Sequence, residues 1–314
     1  MKIIISGSLV YDHIMNFPDS FKNHILPDKV HMLNVSFVVD RLQKSWGGTA
    51  GNIAYTAKML GADPFIISAL GSDSREYVEH FNSNGINTSG IVLDSKQPTA
   101  SAYITTDADD NQITAFFGGP LSRANEYTLA TNVKVGEIMI VSPTDKRVMI
   151  EHVIDAANMG LQVVFDPGQQ ITAFTDIELK QMISRAKFLI GNDYEMHIMH
   201  ERTGMDDNAM LETVAVIITT LGAEGSIIKT KDQEIKVPPC PPDSVDDPTG
   251  AGDAYRAGFF TGIALGYSLQ ICGQMGSVAA SYAIETYGTQ THRFTKSEFC
   301  RRYEEMYQEE FFLS

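Results

Sequence analysis

Asp246-Asp247-Pro248-Thr249-Gly250-Ala251-Gly252-Asp253-Ala254-Tyr255-Arg256-Ala257-Gly258, continued by an apolar run to Leu265, is the most informative stretch of the chain. Pro248 and the two glycines after it permit a tight loop. The residues from Ala251 onward have helical character, so the amides of Gly250, Ala251, Gly252 and Asp253 open a helix. Unpaired N–H groups at such a point, with the helix dipole behind them, form an anion site. A carboxylate inside the same nest opposes a bound phosphate unless its task is to take a proton from an incoming hydroxyl. That reading makes Asp253 a general base. The plainer reading is a capping aspartate on a core helix, which accounts for the acid but not for the glycines beside it. Gly250-Ala251-Gly252 also begins a GxG. A dinucleotide fingerprint, however, needs glycine where Tyr255 stands and belongs in the first βα turn, so a nicotinamide-dependent dehydrogenase is disfavoured. No GxxxxGK[ST] occurs, which excludes a P-loop.

Upstream of this motif, short apolar β-branched runs recur at 2–6, 65–69, 137–142, 162–165, 187–190 and 214–219. Helix-like segments at 49–60, 76–82, 146–159 and 178–185 fall between them. The alternation predicts βαβ units and an α/β fold with a mostly parallel central sheet. The strand runs end at Gly7, Gly71, Asp166, Asn192 and Gly222, and in open α/β sheets ligands sit beyond the carboxyl ends of the strands. One region breaks the pattern: 99–106 and 112–117 flank the polar turn 107–111 and read as a β-hairpin, and 31–39 is strand-like with no helix before it. These inserts, within about 13–45 and 97–120, predict a small antiparallel β lid over the main sheet, the alternative being an edge hairpin without a gating role. No internal repeat, low-complexity tract or long linker divides the chain, so 1–314 reads as a single domain.

The 314 residues, 43% hydrophobic and 20% charged, suffice for a sizeable core. A formal net charge of −15 repels polyanions and argues against a nucleic-acid partner. No apolar run approaches the roughly 20 residues that span a bilayer, and the N-terminal run is too short for a signal peptide, so a soluble protein with no membrane association is expected. Cys240, Cys272 and Cys300 are an odd, widely spaced set without a CxxC, which suits a reducing compartment and argues against disulfides and a zinc site. His197, His200 and Glu201 form HxxHE, which is neither HExxH nor HxxEH, so solvated histidines are the better reading.

A second cluster, Trp46-Gly47-Gly48-Thr49-Ala50-Gly51-Asn52-Ile53-Ala54, leads into an amphipathic helix. Paired glycines let backbone approach a ligand closely, and Asn52 both donates and accepts hydrogen bonds, which suits vicinal hydroxyls; a structural turn before a helix is the alternative.

With Gly47 to Asn52 as one signature and Asp247 to Asp253 as the other, the chain resembles the PfkB or ribokinase-like carbohydrate kinases. Further matches fall in the same order: Gly7-Ser8-Leu9-Val10-Tyr11-Asp12, Asn192-Asp193-Tyr194-Glu195 and Thr220-Leu221-Gly222-Ala223-Glu224-Gly225. The resemblance spans nearly the whole chain. It implies a ribokinase-like three-layer sandwich and an ATP-dependent phosphotransferase with an alcohol acceptor, in the cytoplasm. By the same resemblance Asp253 is the base and Gly250, Ala251 and Gly252 form the anion hole. Asp12, Gly47, Gly48 and Asn52 hold ribose hydroxyls, and Asn192, Thr220, Gly222 and Gly225 bind the nucleotide. Glu195 acts on Mg²⁺ through water. A monovalent cation such as K⁺ and a homodimer stay open. The branch it resembles most is adenosine or nucleoside kinase, judged from the two motifs with 110–117 and 285–290, so adenosine is the expected acceptor, with ribose or fructose as the alternative. Phe37, Phe116 and Phe117 offer stacking surface for a purine or else fill the lid's own core, and Phe117 is taken as a substrate contact. A non-catalytic nucleotide- or sugar-binding regulator is the remaining class, against which the intact Asp253 and its glycines speak.

Overall fold

The computed structural model describes residues 2–313 apart from 26–31, 33, 110, 130–132 and 135. Among the described residues, thirteen strands form two sheets. The large one contains β1 (Lys2–Ser6), β4 (Asp63–Leu70), β5 (Ile91–Leu93), β8 (Ile138–Val141), β9 (Gln162–Phe165), β10 (Phe188–Asn192), β11 (Val216–Thr220), β12 (Ser226–Lys229) and β13 (Glu234–Val237). Their order is β13-β12-β11-β10-β9-β8-β1-β4-β5. Every pairing from β11 to β5 is parallel, and the β12–β13 edge is antiparallel.

Strand periodicity explains the layering. Ile3, Ile5, Ile138 and Ile140 point to one face, where they pack with α1 (Thr49–Met59), α2 (Arg75–Ser83), α7 (Ala251–Leu265) and α8 (Leu269–Ile284). Ile4, Met139, Val141 and Leu189 point to the other, against α3 (Lys146–Asn158), α4 (Asp176–Ile183), α5 (Asp193–Thr203) and α6 (Asp207–Leu211). Because both faces are covered, the central strands are apolar throughout, which makes them legible as unbroken runs. A third cluster packs α9 (Lys296–Tyr307) on α8 through Phe299, Tyr303 and Met275.

The small sheet is β3-β2-β6-β7: β2 (Val10–Asn16), β3 (Arg41–Gly47), β6 (Ser101–Thr106) and β7 (Gln112–Phe117). The hairpin expected at 99–117 is present as β6–β7. Two expectations change. The sheet is not wholly antiparallel, since β2 and β6, which meet only after an intervening excursion through the main sheet, run parallel. The strand expected at 31–39 is displaced: Asn34–Val39 is irregular, part of the segment lies outside the described residues, and β3 begins at Arg41. Arg41-Leu42-Gln43-Lys44 carries no β-branched residue and is mostly exposed, so propensity and periodicity hide it.

Candidate active site

The two sheets enclose a cavity of about 1010 Å³ at the carboxyl ends of the parallel strands. It is large enough to seat two small ligands side by side. The α7 N-terminus, β2 and the loops after β8, β9 and β11 all reach it.

Asp247 organises the α7 entry. Its Oδ1 accepts from the Thr249 N–H at 2.9 Å and its Oδ2 from the Gly288 N–H at 3.0 Å. Gly250 precedes the helix at φ 82°, a left-handed conformation that glycine supplies without strain. The Ala254 N–H donates to the Gly250 carbonyl, whereas the Gly250, Gly252 and Asp253 N–H groups have no acceptor among the described residues. Ala251, expected in the anion hole, is different: its N–H donates to the Pro248 carbonyl at 3.3 Å, and it does not line the cavity. The open donors are therefore those of residues 250, 252 and 253, because the turn that starts the helix consumes one amide.

The Asp253 carboxylate faces the cavity and accepts a 2.8 Å hydrogen bond from Asn52 Nδ2. Burial pushes its pKa up to about 6; Arg256 and the Asn52 hydrogen bond oppose that rise, while Asp166 and Glu195 add to it. Asn52 is less available to substrate than its residue type suggests. Its Oδ1 is occupied by Thr289 Oγ1 (2.8 Å) and Gln290 Nε2 (3.0 Å), so only one amide hydrogen stays open for a substrate hydroxyl.

Asp12 lies on β2, opposite Ser45 and Ala102. It lines the cavity, and no protein group among the described residues donates to its carboxylate. Desolvation first, then repulsion from Asp253 and Asp247, raises its pKa to about 7. Gly47 permits this placement: a Cβ there would sit 2.0 Å from Asp12 Oδ2. Gly48 lines the cavity beside Ser8.

On the opposite side, Asn192 and Glu195 form a reciprocal cap on α5: the Glu195 N–H donates to Asn192 Oδ1, and the Asn192 N–H to Glu195 Oε2, both at 2.8 Å. Desolvation and the Asp166 charge raise the Glu195 pKa. Glu195 Oε1 has no hydrogen-bond partner among the described residues, and no group of three or more His, Cys, Asp or Glu side chains among them is set to cage a metal. One carboxylate oxygen beside an anion cavity fits a Mg²⁺ that keeps its water and takes its other ligands from phosphates. Thr220 and Gly222 line the same end. Gly225 does not; it packs against β13, where a Cβ would meet the Val237 carbonyl oxygen at 2.1 Å.

Phe117 is also displaced from its expected place. It pairs with Ser101, Phe116 pairs with Ala102, and adjacent strand residues face opposite ways. Phe116, Thr114, Ala102 and Ile104 face the cavity, and Phe117 faces away. Phe37 packs against Phe17 and Phe21 with its ring tilted by 54° to each.

Asp166, read from sequence only as a strand end, and Arg256, quoted in the motif without a role, form a buried ion pair on the cavity wall. Arg256 Nε and Nη2 donate to Asp166 Oδ2 and Oδ1 at 2.5 and 2.6 Å, and Nη1 donates to the Gly252 carbonyl at 3.0 Å. The available signal is spacing: Arg256 stands three residues after Asp253 on a helix, hence on the same face.

Fold and site together define a small-molecule kinase of ribokinase-like architecture. The profile of pfkB family carbohydrate kinases matches residues 7–296. A nucleoside kinase of Methanocaldococcus jannaschii is 32% identical over 305 residues, covering 96% of this chain and 97% of that one. A solved structure of that organism's nucleoside kinase, described as an archaeal member of the ribokinase family, superposes with a TM-score of 0.88 at 31% identity, over 97% of this chain and 98% of that one. The Burkholderia thailandensis nucleoside kinase in complex with inosine superposes with a TM-score of 0.89 at 32% identity, over 98% of this chain and 99% of that one. The chain belongs to the pfkB family of carbohydrate kinases.

Proposed function

We propose that the protein transfers the γ-phosphoryl group of ATP to the 5′-hydroxymethyl group of a nucleoside. The observation that carries this reading is the pairing, across one cavity, of a carboxylate at Asp12 that has no donor among the described residues with a second carboxylate, Asp253, at an open helix N-terminus. Asp12 accepts hydrogen bonds from two ribose hydroxyls, and the last amide hydrogen of Asn52 supports them. That pose turns the hydroxymethyl group toward Asp253. Asp253 takes the hydroxyl proton as the oxygen attacks the γ-phosphorus; the new O–P bond forms as the bond to the β–γ bridging oxygen breaks, leaving ADP. The N–H groups of residues 250, 252 and 253 hold the charge on the transferring phosphoryl group. Asn192, Thr220 and Gly222 lie along the nucleotide side. Glu195 would hold Mg²⁺ through water, and the ion when bound supplies neutralisation of phosphate charge.

The nucleoside class is favoured by relatives that cover 96% and 98% of the chain, and a purine by the apolar wall of Phe116, Ile104 and Ala102. Adenosine is the acceptor expected from sequence; the inosine complex of the Burkholderia relative adds a specific second reading, a 6-oxopurine nucleoside. ADP release measured with Mg²⁺, with and without K⁺, against adenosine, inosine, guanosine, cytidine, ribose and fructose separates these. Turnover confined to nucleosides supports the reading, faster turnover of ribose or fructose replaces it with a sugar kinase, and none on any acceptor leaves a binding protein.

A further inference from the structure

We infer that Arg256, locked by Asp166, is a positioning residue for phosphoryl transfer: it fixes the Gly252–Asp253 peptide and sets a permanent positive charge beside the base. The inference rests on the assignment of Asp253 as base. Its ground is the three-way bonding of one guanidinium. Asp166, 1% exposed beyond the end of β9, grips Nε and Nη2 bidentately, and Nη1 reaches the Gly252 carbonyl. A peptide unit is planar, so anchoring the Gly252 oxygen also fixes the direction of the Asp253 N–H, one of the open anion donors. The fit is tight. A Cβ at position 252 would lie 2.9 Å from Arg256 Nη1, so the glycine also provides room for the guanidinium.

Lysine offers no planar fork for this arrangement. Nor is global stability a sufficient reason for it, because desolvation offsets most of the attraction in a buried ion pair. Among the described residues, the charged groups that act on Asp253 are Asp12 from β2, Asp166 beyond β9, Glu195 from α5 and Arg256 on its own helix, while Asp145 and Lys146 at the start of α3 line the same cavity. Loss of Arg256 therefore leaves the base among like charges and moves its ionisation to higher pH. Loss of the Asp166 charge moves it to lower pH. A structural brace predicts no such opposition of sign.

The test compares R256Q, R256K and D166N in the full chain, with folding checked by circular dichroism. For R256Q we expect kcat to fall by about 100-fold or more, the loss typical of a misplaced oxyanion donor, with KM for nucleoside and ATP within about threefold. The acidic limb of its kcat–pH profile should move up, and that of D166N down. R256K should keep its limb near the wild-type position but lose kcat. A raised KM for ATP at unchanged kcat in R256Q overturns the inference and makes Arg256 a phosphate contact; limbs that do not move in any variant overturn it in favour of a purely structural role. Should R256Q fail to fold, the limb of D166N decides. Carbon-13 NMR titration of the Asp253 carboxyl gives the same comparison without turnover. A wild-type protein inactive on every acceptor would thus sink the functional reading while the clamp is still decided.

Discussion

The large sheet and the small one meet at the same cavity but are built on opposite terms. Residues of β1 and β8 such as Ile4, Ile5, Met139 and Ile140 are wholly buried, whereas every residue of β7 is exposed. The large sheet and the helix that starts at Ala251 hold Asp253 and the open amides, which the proposed reaction uses as base and anion donors and which therefore demand fixed geometry. The small sheet contributes Asp12 and Phe116 to the cavity wall, groups that meet the acceptor in the proposed reaction. In the proposed reaction, chemistry thereby falls to the part of the molecule with the deepest packing, and acceptor choice to the part with the least. Opening free energies should run along the same gradient, since elements with few buried contacts open at low cost.

The comparison can be broken from the small-sheet side first. Asp12→Ala should lower nucleoside affinity by about 100-fold, since two hydrogen bonds to a charged group are lost at about 1.5 kcal/mol or more each, while ATP binding is unchanged. Calorimetry with each ligand alone reads both. A loss of ATP affinity of the same size would move Asp12 to the other substrate. Phe116→Ala and Phe117→Ala form the next pair. Loss of a stacking face should raise the nucleoside KM by about tenfold for Phe116, and the outward Phe117 should change it by less than about twofold. Equal effects would contradict the strand register. In hydrogen exchange, saturating nucleoside should slow the amides of residues 101–117 and leave those of β1 and β8 unchanged. Indifference of the hairpin would remove any closing motion from the account.

The smallest effect is on stability. The Asp12 pKa is raised in the folded protein, so its neutral form is favoured there, and its contribution is retained at low pH and lost as pH rises from about 4 to about 7. Asp12→Asn should therefore raise Tm at pH 8 and have little effect at pH 4. A lower Tm at pH 8 would show that the carboxylate is stabilised by something other than substrate.

Legibility in the sequence divides along the same line. Ile3, Ile4 and Ile5 sit in a strand covered on both faces, and the loop-to-helix motif at 247–253 is local, so both can be read directly. The strand Val10–Asn16 is hidden, because Tyr11-Asp12-His13 lacks strict alternation. Phe116 and Phe117 are indistinguishable until the register with Ala102 and Ser101 decides which faces in. The Asp166–Arg256 pair spans 90 residues, and the occupation of the Asn52 amide by Thr289 and Gln290 spans 237 and 238; such contacts exist only once the sheet is closed.

The central claim is that Asp253 accepts the proton of the attacking hydroxyl. Asp253→Asn keeps the shape of the side chain and removes its basicity, so single-turnover phosphorylation of adenosine and inosine by Mg²⁺–ATP, at saturating concentrations of both substrates, tests it most directly. The account predicts a fall of about 10³-fold or more in the chemical step with both ligands still bound. A rate within about tenfold of the unsubstituted protein would contradict it, because general-base catalysis alone contributes more than that.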